Sequence, residues 1–79
     1  MEIKILGTGC VNCRNLETLT EKAIDDLGLD AEIVDVTDVG EIMSYGVMST
    51  PALVINEEVL MAGRVPGYDA VRDVIAANV

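Results

Sequence analysis

From Met1 to Leu6 the chain is a short apolar run with β-branched Ile3 and Ile5, which reads as a strand, and Gly7-Thr8-Gly9 then breaks it. The period changes directly afterwards. Leu16, Leu19, Ala23, Ile24 and Leu27 recur at helical spacing, with Glu17, Glu21, Lys22 and Asp25 on the other faces. Gly28 stands where a C′ glycine closes a helix. Ala31 to Val36 is a second β-branched run, carrying Ile33, Val34 and Val36. Strand, helix and strand in succession predict a right-handed parallel crossover.

The second half has a different pattern. Thr37 or Asp38 can cap a short helix containing Val39, Ile42 and Met43 that ends near Gly46. Ala52 to Ile55 and Val59 to Ala62 are strand-like runs joined by the polar Asn56-Glu57-Glu58, which predicts an antiparallel hairpin. After the loop Gly63-Arg64-Val65-Pro66-Gly67, the spacing of Val71, Val74 and Ile75 marks the buried face of a last helix, with Arg72 and Asp73 turned away. The order is βαβ, a short helix, then ββα. It predicts a four-stranded mixed sheet with helices on both faces, a three-layer α/β domain occupying residues 1–79 as one unit.

Composition changes this picture at three points. With two tyrosines and no phenylalanine or tryptophan, the core has to be aliphatic. Fourteen acidic residues against five basic ones, a net charge of −9, leave no Lys/Arg patch of the kind that displaces counterions, which excludes a nucleic-acid surface. The acidic residues, Asp25-Asp26 and Glu57-Glu58 among them, read as solvated. No run approaches the ~18–20 apolar residues of a membrane span, and the N-terminus lacks a signal layout. The expectation is a cytoplasmic monomer without a membrane or nucleic-acid partner.

The only two cysteines lie in Gly9-Cys10-Val11-Asn12-Cys13-Arg14, between the first strand and the first helix. Cys10 is expected at the helix start and Cys13 one turn inside. In a first helical turn residues i and i+3 share a face, within the Cα separation of about 4.4–6.8 Å that a disulfide requires. The pair can therefore open and close with little backbone movement. The positive end of the helix favours a thiolate at Cys10 by roughly 0.3–2 kcal/mol, and the Arg14 cation adds to it. A pair closing a four-residue loop is no stabilising framework of the secreted kind, which leaves redox or metal chemistry. Structural zinc needs four ligands, and this chain has two cysteines and no histidine.

The chain resembles the thioredoxin fold, and most closely the small thioredoxin-like or glutaredoxin-like redox-active disulfide proteins. The resemblance rests on Cys10-Val11-Asn12-Cys13 after the first strand and on Ser49-Thr50-Pro51-Ala52-Leu53-Val54-Ile55 opening the third. It implies a protein disulfide oxidoreductase in which Cys10 attacks and Cys13 resolves, Pro51 is cis beside the disulfide, and Thr50, Pro51, Val11 and Asn12 meet the substrate. It further implies protein disulfide substrates, a thioredoxin-reductase-type electron donor, and no cofactor or metal beyond the Cys10–Cys13 disulfide. There are departures. Gly9 and Val11-Asn12 replace the usual tryptophan and Gly-Pro, and Gly63-Arg64 with Asp69 differs from the segment that binds glutathione in glutaredoxins. Lys4 stands in the neighbourhood where thioredoxins place a carboxylate that assists the second cysteine, so a water or another group has to serve. The alternative is a copper module: a strand, a Gly-rich loop, Cys-x-x-Cys and a helix also resemble the start of heavy-metal-associated copper chaperones, whose two soft thiolates suit Cu(I).

Overall fold

Seven elements are present in the computed structural model, which describes residues 2–63 and 65–78. They are β1 (Glu2–Leu6), α1 (Val11–Leu27), β2 (Glu32–Val36), α2 (Val39–Ser44), β3 (Ala52–Ile55), β4 (Glu58–Ala62) and α3 (Tyr68–Ala77). The sheet order is β2-β1-β3-β4. β1 runs parallel to β2 and antiparallel to β3, and β3 is antiparallel to β4. Met1, which opens the predicted first strand, and Arg64, in the predicted loop, lie outside the described residues. The hairpin and closing helix α3 also set this chain apart from the copper chaperones, which continue as a second βαβ and end in a strand.

Strand alternation divides the core in two, because successive side chains point to opposite faces. Ile3, Ile5, Leu53 and Ile55 pack with Leu16, Ala23 and Ile24 of α1 and Val71 and Ile75 of α3. Leu6, Val36, Ala52 and Val54 pack on the other face with Ile42 of α2 and Val47. Every residue of β3 is buried, as befits an interior strand covered on both faces.

Local chemistry closes α1 and opens α2 where the pattern predicts. Gly28 takes φ 65°, with Leu29 N–H donating to Ile24 C=O at 3.0 Å and Gly28 N–H to Asp25 C=O at 3.2 Å, a Schellman closure. Of the two candidate caps of α2, Asp38 serves, its Oδ1 accepting from Gly40 N–H at 2.7 Å and Glu41 N–H at 3.3 Å. The hairpin turn is shorter than predicted. Asn56 and Glu57, at φ 52° and 65°, form it alone, and Glu58 already belongs to β4.

Two acidic side chains that read as solvated, Glu57 and Asp26, are partnered. Lys4 Nζ donates to Tyr45 Oη at 2.7 Å and to Glu57 Oε1 at 2.6 Å, and Tyr45 Oη donates to Glu57 Oε2 at 3.0 Å, which joins β1, α2 and the hairpin turn. The Glu57 hydrogen bond, then that of Tyr45, holds the Lys4 ammonium above its usual range, and the Lys4 and Tyr45 bonds hold the Glu57 carboxyl below its own. Tyr68 Oη donates to Asp26, and Lys22 Nζ lies 4.6 Å from the centroid of the Tyr68 ring, which joins α3 to α1.

Candidate functional site

The cysteine pair lies at the carboxyl end of β1, where ligands gather in α/β sheets. Gly9, at φ 87°, makes the left-handed bend that brings the chain into α1. Cys10 is the N-cap in extended conformation, and its Sγ accepts from Cys13 N–H at 3.1 Å. A sulfur thus takes the place of the usual capping oxygen and sits at the positive end of the helix. Cys10 and Cys13 are joined as a disulfide with their Cα atoms 5.0 Å apart.

The two sulfurs occupy different surroundings. Cys10 is exposed and Cys13 is only 5% exposed. Gly7 explains the second fact: a Cβ built on it would fall on the Cys13 sulfur, so only glycine lets that side chain tuck beneath the end of β1. Gly7 N–H is itself fixed by Val36 C=O at 2.9 Å.

The Thr50–Pro51 peptide is cis, with Pro51 buried and Thr50 exposed at the start of β3. Gly63 N–H donates to Pro51 C=O at 2.9 Å, which ties this bend to the end of β4. Thr8 and Thr50 line one groove of about 270 Å³ together with Val39, Ile42 and Met43 of α2, Val47 and Met48. Val39 and Met43, placed in the second helix as apolar residues, are 58% and 64% exposed, and Met48 is 94% exposed. Val11, 73% exposed, and Asn12 lie on the first turn of α1 outside this groove.

A second cavity, of about 160 Å³, lies on the Cys13 side. Its walls are Ile5, Gly7 and Gly9 from the β1 end, Cys13, Arg14 and Glu17 from α1, and Asp35 and Thr37 from the β2 end. Partial burial and the neighbouring carboxylates of Asp35 and Glu21 hold the Glu17 carboxyl above the usual carboxylate range. Arg14, expected beside Cys10 as a tuning cation, thus shares this cavity with the two carboxylates.

Lys4 requires a correction. It shares the α2 face of the sheet with Leu6, reaches Tyr45 and Glu57, and does not line the Cys13 cavity. The carboxylates near Cys13 are Glu17, expected on a solvent face, and Asp35, which drew no attention in the sequence. One signal was available in the sequence: Glu17 is four residues beyond Cys13, on the same helical face. Asp35 is placed by strand register, paired with inward-facing Ile5. Among the described residues no three His, Cys, Asp or Glu side chains are grouped to hold a metal ion, and no helix is long and apolar enough to cross a membrane.

The thioredoxin domain family matches residues 1–76. The chain is 38% identical over 71 residues to a thioredoxin of Methanocaldococcus jannaschii, covering 90% of this chain and 81% of that one. It is 33% identical over 76 residues to a thioredoxin of Methanothermobacter thermautotrophicus, covering 96% and 99%. Among solved structures it is similar to thioredoxin 1 of Thermosipho africanus, with a TM-score of 0.65 over 98% of this chain and 92% of that one; at 18% identity the likeness speaks to the fold.

Proposed function

From the premise that the chain belongs to the thioredoxin domain family, we propose that its exchange chemistry runs through Cys10 as the attacking sulfur and Cys13 as the resolving one. The protein is a thiol–disulfide oxidoreductase that acts on disulfide substrates and depends on a reductase partner to restore its dithiol. The observation that carries the assignment of roles is the difference in exposure: Cys10 is open to a substrate at the helix N-terminus, whereas Cys13 is shielded from everything but Cys10 and its own cavity.

In the first step the Cys10 thiolate attacks a substrate disulfide. A bond forms between Cys10 and one substrate sulfur, and the other leaves with the electron pair. Cys13 thiolate then attacks the Cys10 sulfur, expelling the second substrate sulfur and leaving the Cys10–Cys13 disulfide. Two electrons have passed to the substrate. Arg14 and the helix N-terminus favour the Cys10 thiolate. An extended substrate segment pairs with the backbone at Thr50 beside Pro51, as an added strand, and meets Val11 and Asn12 across the cysteines. The apolar groove at Met43 and Met48 takes one of its side chains.

The proposal extends to protein disulfides as substrates, a donor of the thioredoxin-reductase type, no cofactor or metal beyond the disulfide, and a single-domain monomer of the cytoplasm that binds neither membrane nor nucleic acid. A cysteine pair used for exchange fits a reducing compartment, and the net charge of −9 disfavours nucleic acid. The test is trapping. Incubated with a peptide disulfide, Cys13→Ser accumulates a mixed disulfide at Cys10, visible as a mass increase of one peptide, and Cys10→Ser accumulates none. Equal turnover by Cys10→Ser and the parent protein refutes the assignment.

A further inference from the structure

The sheet ends in two edges of different build. At one, β4 pairs with β3 through a register shift between Leu53 and Val54, an irregularity of the kind that blunts an edge. At the other, β2 pairs with β1 in unbroken register, from Glu2 with Glu32 to Leu6 with Val36. The outer side of β2 has no neighbouring strand and presents a regular row of backbone donors and acceptors. Beside it runs a groove of about 370 Å³ between β2 and α1, lined by apolar Ile24, Ala31 and Ile33 and by the carboxylates of Glu21 and Asp25. We propose that this edge and groove take an extended segment of a partner protein, with lysine or arginine at alternate positions, as a further strand beside β2.

Spacing and charge argue for that occupant. Glu17, Glu21 and Asp25 recur every fourth residue on the flank of α1 that faces β2. Glu17 meets Asp35 in the cavity beside Cys13, and the other two line the groove. Four residues advance a helix by about 6 Å. Two residues advance a strand by about 6.7 Å, so every second side chain of a strand added to β2 comes level with the next carboxylate. Lysine and arginine suit both parts of the groove. Their aliphatic stems cover half-buried Ala31 and Ile33 while their charged heads stay at the exposed carboxylates of Glu21 and Asp25. The intervening side chains fall on the opposite face of the sheet, beside half-buried Val34.

The carboxylates are free to receive a cation. Among the described residues the salt bridges go to Glu2, Glu57, Asp69 and Asp73, and Lys22, next to Glu21 in the chain, lies over the Tyr68 ring instead. Arg14, at the Cys13 end, is the one basic residue among the described residues that lines either cavity. Crowding with Asp35 and Glu21 adds to the elevation of the Glu17 carboxyl, and an incoming cation relieves it. The same charges oppose a second copy of this chain at the edge, which would bring the acids of β2, Glu32 and Asp35, against like charge. The proposal concerns binding alone and stands apart from the roles of Cys10 and Cys13.

The experiment uses the oxidised full-length protein, isotope-labelled for NMR, and two short synthetic peptides of the same lysine and valine content, one alternating and one with the two residue types in separate blocks. The alternating peptide is expected to shift amides of β2 and of the β2-facing flank of α1, to slow hydrogen exchange at the β2 edge, and to bind about tenfold or more tightly than the block peptide. Raising the salt concentration should weaken it, as screening of charge pairs requires. Glu21→Lys with Asp25→Lys should lose about tenfold or more in affinity, whereas Glu41→Lys with Glu58→Lys, the same change of net charge placed on α2 and β4, should stay within about twofold. Amide spectra report whether each double variant is folded, and the comparison of peptides on the parent protein needs no variant. No binding of the alternating peptide, equal binding of the two peptides, shifts confined to the groove beside Thr50, or equal losses in two folded double variants overturns the proposal. Dimerisation of the peptide-free protein through β2 makes a second copy the occupant and overturns it as well.

Discussion

The two sides of the cysteine pair are built from opposite materials. On the α2 side the groove is apolar, with Met43, Met48 and Val39 left exposed around Thr8 and Thr50. On the β2 side the cavity holds a buried sulfur, a glycine that makes room for it, two carboxylates and an arginine. The difference teaches that a chain of 79 residues gives its two sulfurs different surroundings, with apolar surface left unburied on one side and polarity placed next to the core on the other. Neither arrangement improves the fold, since exposed methionines bury nothing and adjacent carboxylates repel.

The sharpest way to break the comparison is at Gly7. Gly7→Ala sets a methyl on the Cys13 sulfur. Overpacking of this kind costs about 1–3 kcal/mol. Denaturant unfolding of the oxidised protein should show that loss, and in stopped flow the attack of Cys13 on a mixed disulfide at Cys10 should slow while the attack of Cys10 on a peptide disulfide persists.

The next largest effect is expected on the opposite side. Met43→Glu with Met48→Asp puts charge into the groove and forfeits the burial of a substrate side chain, worth about 1.5–3 kcal/mol for a large apolar group. KM for a peptide disulfide flanked by apolar residues should rise about tenfold or more. The attack of Cys13 on a mixed disulfide at Cys10 should not slow, because that step involves the other side. Equal damage to both would mean that the two sides are not separate.

Two smaller effects sharpen the contrast through pH. The Glu17 carboxyl is held above its unfolded value, so its contribution to stability is present below the unfolded pKa and is lost as pH rises through the folded one. Glu17→Gln is therefore expected to be more stable than the parent at neutral pH, with the gain vanishing in acid. The Lys4–Glu57 pair behaves in the opposite sense. Glu57 is held below its unfolded value, so its contribution is present above that value and is lost as pH falls through the folded one. Lys4→Met should be less stable than the parent at neutral pH, and the two should converge in acid. Thermal unfolding between acid and neutral pH checks both, and the Lys4 effect should be the smallest of the series because the pair is exposed to solvent.

Most of the fold was legible because its signals are periodic. Leu16, Ala23 and Ile24 repeat at helical spacing, β3 is continuously apolar, and Gly28 closes its helix at the expected place. The cysteines were legible because their spacing and residue type carry their chemistry, and Pro51 was legible through the resemblance of its segment to the thioredoxin fold. The error at Lys4 has a different origin. Nearness in sequence does not say which face of a sheet a side chain takes, and Lys4 and Ile5, adjacent in the chain, belong to opposite sides of the molecule. Glu17 was misread for a related reason. A charged residue on an amphipathic helix reads as solvated until β2 is seen to bring Asp35 against the same cavity, and that meeting depends on strand register rather than on any local pattern.

The central claim is that the two sulfurs, three residues apart, differ in what can reach them. Brief alkylation of the fully reduced protein at neutral pH with a limiting amount of iodoacetamide, followed by peptide mass mapping, tests it most directly. The account predicts singly labelled protein with the label on Cys10 and Cys13 left free. Label shared equally between the two, or found first on Cys13, would contradict it.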